Sequence, residues 1–225
     1  MRRFFDLVNK NFESPLLLHR HFQKNDSRSP IITISREKGS GGRPIAYLVS
    51  KQLGKEWQIY HKDIVEEIAH ETALEKELIE NIDEKQAPLI AELINNIMGK
   101  QYLSLNTYYK HLLHILAVIG NRGHAVIVGR GANFLFPHAL KVRIVSDMKT
   151  RISWIMKYER ISAREAISRI KESDRKRTEF TKTLFQHDPR DANNYDIVIR
   201  TGDNMSVEDA SEIIITLARK RFKMI

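Results

Sequence analysis

The sequence predicts an α/β fold in which a parallel sheet is covered on both faces by helices. Short runs of β-branched and apolar residues alternate along the chain with longer segments of helical periodicity, a pattern typical of such sheets. The first run, residues 31–35, also passes through a glycine-rich turn directly into a helix. Because ligands of open α/β sheets bind beyond the carboxyl ends of the strands, we expect a binding site at that turn.

The glycine-rich turn predicts a phosphate-binding cradle. Gly39, Gly41 and Gly42 separate the first strand from a helix that runs to about Leu53. A tight turn at a helix N-terminus presents backbone N–H groups at the positive end of the helix dipole, which suits a phosphate group. The alternative interpretation is a tight connection without a ligand.

This cradle lacks its usual cation. A standard phosphate-binding loop ends in Gly-Lys-Ser/Thr, with the lysine on the β- and γ-phosphates. Aligning Gly41 with the last loop glycine places Gly42 at the lysine position and Arg43 at the hydroxyl position. Arg36 precedes the glycines, and a guanidinium stays charged with several donors, so Arg36 and Arg43 could replace the lysine. The alternative for each arginine is a solvated surface charge.

The remaining elements continue the alternation of strands and helices. Residues 63–118 are predicted to be mostly helical, with breaks near Pro88 and Gly99. Further strands are predicted at 57–60, 124–128, 142–146 and 195–200, and further helices at 148–159, at 162–181 and from Val207 to Leu217.

Composition narrows the classes of function. The 225 residues are 42% apolar, include no cysteine and carry a formal charge of +9. Disulfides and thiolate zinc sites are therefore excluded, and the basic balance suits phosphorylated ligands or nucleic acid. We expect nucleotides rather than nucleic acid, because no nucleic-acid-binding motif is evident. The charged N-terminal segment and the lack of a long apolar run predict a cytoplasmic protein without a membrane segment.

Four segments, in this order, resemble the cytidylate kinase-like branch of the P-loop nucleoside monophosphate kinases. They read ISREKGSGGRPIA, VIVGRGANFLFPHALKVRIV, SDRKR and NYDIVI. The resemblance implies a three-layer P-loop NTPase-type fold, with a five-stranded parallel sheet flanked by helices and a helical lid. It implies an N-terminal extension at 1–30 and a kinase-like domain at 31–225, with acceptor-site helices at about 61–118 and a lid at about 149–182.

The resemblance also implies a function, an ATP-dependent kinase that transfers the γ-phosphoryl group of ATP to CMP or a related acceptor, with ATP and Mg²⁺ as cofactors. The implied catalytic residues are Arg36, Arg43 and Arg177. The donor phosphates would be held by Gly39, Ser40, Gly41, Gly42 and Arg43, and the acceptor by Arg130, Asp174 and Arg177. Arg130, Asp174 and Arg177 are expected to converge over one pocket opposite the glycine loop. Arg130 would face that loop across a cleft, and Asp174 would orient Arg177 or contact the acceptor.

The sequence departs from this family at several positions. Residues that differ from the family pattern are His61, Val128, Gly131, Asn133 and Ile170. Cytidine specificity and the metal ligands therefore stay open. The alternative is a catalytically weak nucleotide-binding regulatory module of the same fold, and the third possibility is a basic protein associated with nucleic acid.

Two weaker groups lie on the predicted central helices. His111 and His114 are three residues apart and could ligate a metal, but the surrounding apolar residues and the lack of a nearby acidic partner favour helix packing or solvent exposure. Three tyrosines, Tyr102, Tyr108 and Tyr109, could stack on the acceptor base or belong to the core.

Overall fold

The computed structural model describes residues 29–61 and 91–224, apart from residues 93, 96, 100 and 106. These residues form two compact units. One contains residues 30–61 and 124–224, and the other contains Ser29 with residues 91–123. The extension predicted at 1–30, the break predicted near Pro88 and much of the helical region predicted at 63–118 lie outside the described residues.

The larger unit contains a five-stranded parallel sheet, which confirms the predicted fold class. The strand order is β2-β3-β1-β4-β5, and each neighbouring pair is parallel. Ile34 of the central strand is in register with Val128 on one side and Val142 on the other, so the three strands end near the same edge. The strands are β1 (Ile31–Arg36), β2 (Gln58–Tyr60), β3 (Ala125–Val128), β4 (Leu140–Ser146) and β5 (Ile197–Thr201).

The predicted helices are present wherever the structure describes the chain. The predicted break near Gly99 is confirmed, since Gly99 has a positive φ of 49°. The structure adds a short helix at Ala132–Leu135 that the sequence did not predict. Residues 149–182, the predicted lid, cover a helix and most of the next one. The described helices are α1 (Gly42–Leu53), α2 (Gln101–Ser104), α3 (Thr107–Arg122), α4 (Ala132–Leu135), α5 (Met148–Glu159), α6 (Ala163–Phe185) and α7 (Val207–Arg221).

Side chains cap three of the long helices at their N-termini. Asp147 accepts a hydrogen bond from the N–H of Thr150 at 2.9 Å at the start of α5, and Ser162 does the same at the start of α6. Ser206 begins α7 with a reciprocal capping box. Helix α1 differs, because its N-cap residue is Gly41 and offers no side chain. Its first N–H groups point to the loop that precedes them.

The core of the larger unit lies between the sheet and the helices α1 and α7. Strand residues such as Ile32 and Val142 are fully buried, and so are Ile45 of α1 and Ile214 of α7. Burial of these side chains fixes the position of α1 against the end of β1. In the part of the chain that the structure describes, no helix combines the length and apolar character needed to cross a membrane.

Candidate active site

The loop between β1 and α1 has the geometry predicted for a phosphate cradle. Gly39 and Gly41 have φ values of +82° and +79°, which L-amino acids with side chains rarely adopt. A Cβ on Gly39 would lie 2.9 Å from the carbonyl oxygen of Arg151, and one on Gly41 would lie 3.0 Å from the indole of Trp154. The loop thus packs closely on α5, and its glycines are required by both backbone conformation and space.

Ser40 holds this loop from inside. Its fully buried hydroxyl lies 3.0 Å from the carbonyl oxygen of Glu37 and 3.2 Å from that of Ile144. Its own carbonyl oxygen accepts a hydrogen bond of 2.9 Å from the hydroxyl of Thr201. The side chain of Ser40 therefore fixes the loop to β4, and its carbonyl oxygen fixes the loop to β5. Its predicted role toward the donor phosphates stays a prediction.

Arg36, at the end of β1, runs along the side of the loop. A Cβ on Gly42 would lie 2.7 Å from the Cβ of Arg36 and 2.8 Å from its Cγ. At the far end, a Cβ on Gly129 would overlap Nη1 of the same guanidinium. The side chain of Arg36 thus extends from the start of α1 to the turn that follows β3, which places its charge at the carboxyl edge of the sheet.

Two buried arginines that the sequence did not single out lie behind the loop. Arg143 of β4 is 7% exposed and Arg151 of α5 is 5% exposed. The carboxylate of Glu37 lies between them, 3.8 Å from Nη2 of Arg143 and 3.4 Å from Nη1 of Arg151. Glu37 also accepts a hydrogen bond of 3.2 Å from the N–H of Ser146. The loop is therefore anchored through Glu37 to both β4 and α5.

Asp174 fastens α6 to the same loop. One carboxylate oxygen accepts a hydrogen bond of 2.9 Å from the N–H of Lys38, and the other pairs with Nη2 of Arg151. Nη1 of Arg177 lies 3.4 Å from Asp174 and donates to the carbonyl oxygen of Arg36 at 3.3 Å. Asp174 and Arg177 therefore contact the loop itself, whereas the sequence predicted them opposite it. Their roles in acceptor binding stay predictions, and the contact between Asp174 and Arg177 agrees with the expected orienting role.

The arginine cluster, defined as Arg43, Arg143, Arg151 and Arg177, creates a positive potential at the loop. The pKa of Arg177 is lowered, first by burial and then by repulsion from the other three guanidinium groups, against the opposing effect of Asp174. Arg43 is an exposed member of this cluster on the first turn of α1. An anion bound at the loop would relieve this mutual repulsion, which is the electrostatic requirement of a phosphate site.

Arg130 lies in the turn that follows β3. Its backbone is in the left-handed region with φ of 57°, and its half-buried guanidinium lies 5.5 Å from the ring centre of Phe180 on α6. A Cβ on the following Gly131 would overlap the ring of Phe185. Arg130 is thus held against the predicted lid by a cation–π contact, next to the glycine that adjoins Arg36. Its expected position opposite the glycine loop stays a prediction.

The described residues show no protein site suited to Mg²⁺ by itself. Within residues 29–61 and 91–224, apart from the few undescribed positions, no three His, Cys, Asp or Glu side chains are grouped so that they could hold a metal ion. The loop position that normally supplies a hydroxyl for Mg²⁺ carries Arg43, and both Glu37 and Asp174 are paired with arginines. This donor set does not fit a resident Mg²⁺ ion.

The smaller unit holds the two weaker groups. Burial and the adjacent His111 lower the pKa of His114 to about 4, as expected for a packed histidine. Tyr108 and Tyr109 form an edge-to-face pair with ring centres 5.4 Å apart. Lys110 lies 5.6 Å from the ring centre of Tyr102. The proposed stacking of these tyrosines on an acceptor base stays a prediction.

Comparison with known proteins finds a matching family, a curated relative and a similar fold. A family model described as the cytidylate kinase-like family matches residues 31–203. A curated cytidylate kinase from Methanothrix thermoacetophila (strain DSM 6194 / JCM 14653 / NBRC 101360 / PT) is 27% identical over 172 residues, which covers 76% of this chain and 88% of that protein. The crystal structure of an uncharacterized protein from Eubacterium ventriosum ATCC 27560 superposes with a TM-score of 0.58 at 21% identity, covering 84% of this chain and 98% of that one. The latter likeness concerns the fold.

Proposed function

Because the chain belongs to the cytidylate kinase-like family, we propose that it is a nucleoside monophosphate kinase that transfers the γ-phosphoryl group of ATP to CMP or a related acceptor. The observation that carries the proposal is the glycine loop at the N-terminus of α1, bounded by Arg36 and the arginine cluster. Backbone N–H groups and guanidinium groups together supply the donors that phosphate oxygens require.

The donor triphosphate would lie in the cradle formed by Gly39, Ser40, Gly41 and Gly42. The close packing of this loop on α5 and β4 supports the proposal, because a preorganised loop loses little conformational entropy when the phosphates bind. Arg36 and Arg43 would supply the positive charge that lysine supplies in a standard loop. Mg²⁺ would enter as the ATP–Mg²⁺ complex, held mainly by the phosphates, and would neutralise part of their charge.

The acceptor phosphate would be held by Arg130 and Arg177. Arg130 contacts Phe180 of α6, and Arg177 of α6 donates to the carbonyl oxygen of Arg36 at the end of β1. Both are thus connected to elements that would surround the transferring group. An oxygen of the acceptor phosphate attacks the γ-phosphorus while the bond to the ADP oxygen breaks, and ADP leaves. Two anions must approach each other in this reaction, so the arginines act by positioning them and by neutralising their charge.

The runner-up proposal is a nucleotide-binding regulatory module with little catalysis. It is favoured by Val128 and Gly131, which stand where related kinases carry acidic residues on either side of the Gly-Arg pair after β3, and by the pairing of Glu37 and Asp174 with arginines. Such a protein would bind ATP at the same loop and turn it over slowly.

A steady-state assay of ADP formation with each nucleoside monophosphate separates the two proposals. The kinase predicts ADP formation that depends on an acceptor, with the highest kcat/KM for CMP or a close analogue. Calorimetric titration of ATP in parallel identifies a binding module. Tight ATP binding without acceptor-dependent turnover for any of the common nucleoside monophosphates would contradict the kinase proposal and favour the regulatory module.

A further inference from the structure

The glycine at position 42 is not explained by its backbone. Gly42 begins α1 and is absent from the residues with positive φ, so any amino acid could adopt its conformation. Glycine within a helix is less stable than alanine. Some other constraint must therefore exclude a side chain here.

The path of Arg36 provides that constraint. The atoms nearest to a Cβ on Gly42 would be the Cβ and Cγ of Arg36, at 2.7 Å and 2.8 Å. These atoms lie close to the backbone of β1, and the strand pairs on both sides through β3 and β4. They cannot move aside as the end of a flexible side chain can. A side chain at position 42 and the present course of Arg36 are therefore mutually exclusive.

The far end of Arg36 also requires a glycine. Nη1 occupies the space that a Cβ on Gly129 would take, and the N–H of Gly129 donates to the carbonyl oxygen of Ile34 at 3.0 Å. Gly129 itself has a φ of 78°. One arginine side chain thus passes between two glycines, one on α1 and one after β3, and its guanidinium lies where the central strands end.

From this geometry we propose that Arg36 replaces the loop lysine in space as well as in charge. In a standard loop, a lysine at the position of Gly42 would extend from the helix over the bound phosphates. Here the positive charge is that of Arg36, whose side chain starts at the end of β1 and occupies the space beside Gly42. Arg36 and Gly42 form an exchangeable pair, while Arg43 is an additional charge on the exposed side of α1. The inference rests on the proposed function, because it assigns Arg36 to the triphosphate of the donor.

The test moves the positive charge from residue 36 to residue 42. Four variants are compared with the wild type: Arg36→Gly, Gly42→Ala, the double variant Arg36→Gly with Gly42→Lys, and the control Lys51→Ala, which removes an exposed charge at the other end of α1. Glycine is used at position 36 because alanine would keep the Cβ that lies 2.7 Å from a Cβ at position 42. Circular dichroism and urea unfolding establish that each is folded. Calorimetry measures affinity for ATP and for inorganic tripolyphosphate, and turnover is measured with the best acceptor.

Arg36→Gly is expected to lower turnover about 100-fold or more and triphosphate affinity about tenfold, since a charge-assisted contact is lost. Gly42→Ala should lower both in the same direction, because its methyl group is incompatible with the present course of the Arg36 side chain. The double variant should recover at least about tenfold of the turnover lost in Arg36→Gly, and Lys51→Ala should match the wild type.

Wild-type affinity and turnover in a folded Gly42→Ala variant would overturn the inference, and so would a folded double variant no better than Arg36→Gly. The affinity measurements separate this result from failure of the proposed function. If the wild type binds triphosphate but phosphorylates no acceptor, the kinase proposal fails. The triphosphate affinities of the variants then still decide whether a lysine at position 42 can replace Arg36. If the wild type does not bind ATP or tripolyphosphate, both proposals fail.

Discussion

Replacing Asp174 by alanine should release α6 from the phosphate loop and destabilise the larger unit. In the wild type this carboxylate pairs with Arg151, accepts the N–H of Lys38 at 2.9 Å and lies 3.4 Å from Arg177. Alanine would leave the loop N–H without its acceptor and would leave Arg151, a buried guanidinium, with fewer counter-charges.

The size of the effect follows from these contacts. Removing one partner of a buried ion pair costs about 3–5 kcal/mol. The side chain of Asp174 is 29% exposed, and Arg151 keeps the carboxylate of Glu37 at 3.4 Å as a second partner. We therefore expect the loss of the Asp174–Arg151 ion pair to cost only about 1–2 kcal/mol. The lost hydrogen bond to Lys38 adds about 1 kcal/mol. We therefore expect the free energy of unfolding to fall by about 2–3 kcal/mol in Asp174→Ala, and by less in Asp174→Asn, which keeps an acceptor oxygen.

Urea unfolding at pH 7, followed by circular dichroism, measures the change. Glu179→Ala is the matched control, because Glu179 is on the same helix and pairs with Arg175 at 2.6 Å on the exposed surface. Such exposed pairs contribute about 0.3–0.5 kcal/mol. If Asp174→Ala were no more destabilising than Glu179→Ala, Asp174 would not be the link between α6 and the loop, and our account of the site would be wrong on this point.

Three further predictions address the loop, the acceptor and the smaller unit. Gly41→Val should abolish ATP binding in a folded protein, because Cβ would lie 3.0 Å from Trp154 and φ is +79°; unchanged affinity by calorimetry would exclude the cradle. Arg130→Ala should raise the KM for the acceptor and lower kcat while leaving ATP affinity nearly unchanged, and equal losses for donor and acceptor would argue against its assignment. The pKa of His114 is lowered to about 4, below its value near 6.5 in an unfolded chain. The neutral folded form is therefore favoured above pH 6.5, and this stability is lost as the pH falls from 6.5 towards 4, by roughly 2–3 kcal/mol. Urea midpoints measured across this range should fall less steeply in His114→Leu than in the wild type.

The sequence predicted the fold well because its main signals are local. The β-branched residues of β1, the glycines of the loop and the apolar period of α1 are adjacent in the chain, so strand, turn and helix could be read from one segment. The five strands were found for the same reason, although their ends differ by one or two residues. In β4, for example, pairing with β1 begins at Leu140, earlier than the apolar run from Val142 indicated.

The arginines behind the loop could not be predicted in the same way. Arg143 and Arg151 are charged residues in a strand and a helix, where composition alone favours an exposed position. They are buried because Glu37 and Asp174 reach them from segments that are far apart in the chain. The one available signal was Arg143 between the apolar residues Val142 and Ile144, which placed a guanidinium on a buried strand.

The contact between Asp174 and the loop was missed for a related reason. The resemblance to nucleoside monophosphate kinases assigned Asp174 and Arg177 to the acceptor, but it gave no information on how α6 packs. The hydrogen bond from Lys38 to Asp174 joins residues 136 positions apart, and neither residue type nor spacing identifies such a pair. Only the packing of α6 on α5 and the loop reveals it.

The fate of the γ-phosphorus tests the central claim most directly. The protein is mixed with γ-labelled ATP, Mg²⁺ and CMP, the reaction is stopped at short times, and the labelled products are separated by chromatography. A nucleoside monophosphate kinase built on this lysine-free loop predicts that the label appears in CDP, and that Arg36→Ala slows its appearance. Label that appears only as inorganic phosphate, or label that remains in ATP with CMP and with every other nucleoside monophosphate, would contradict the account.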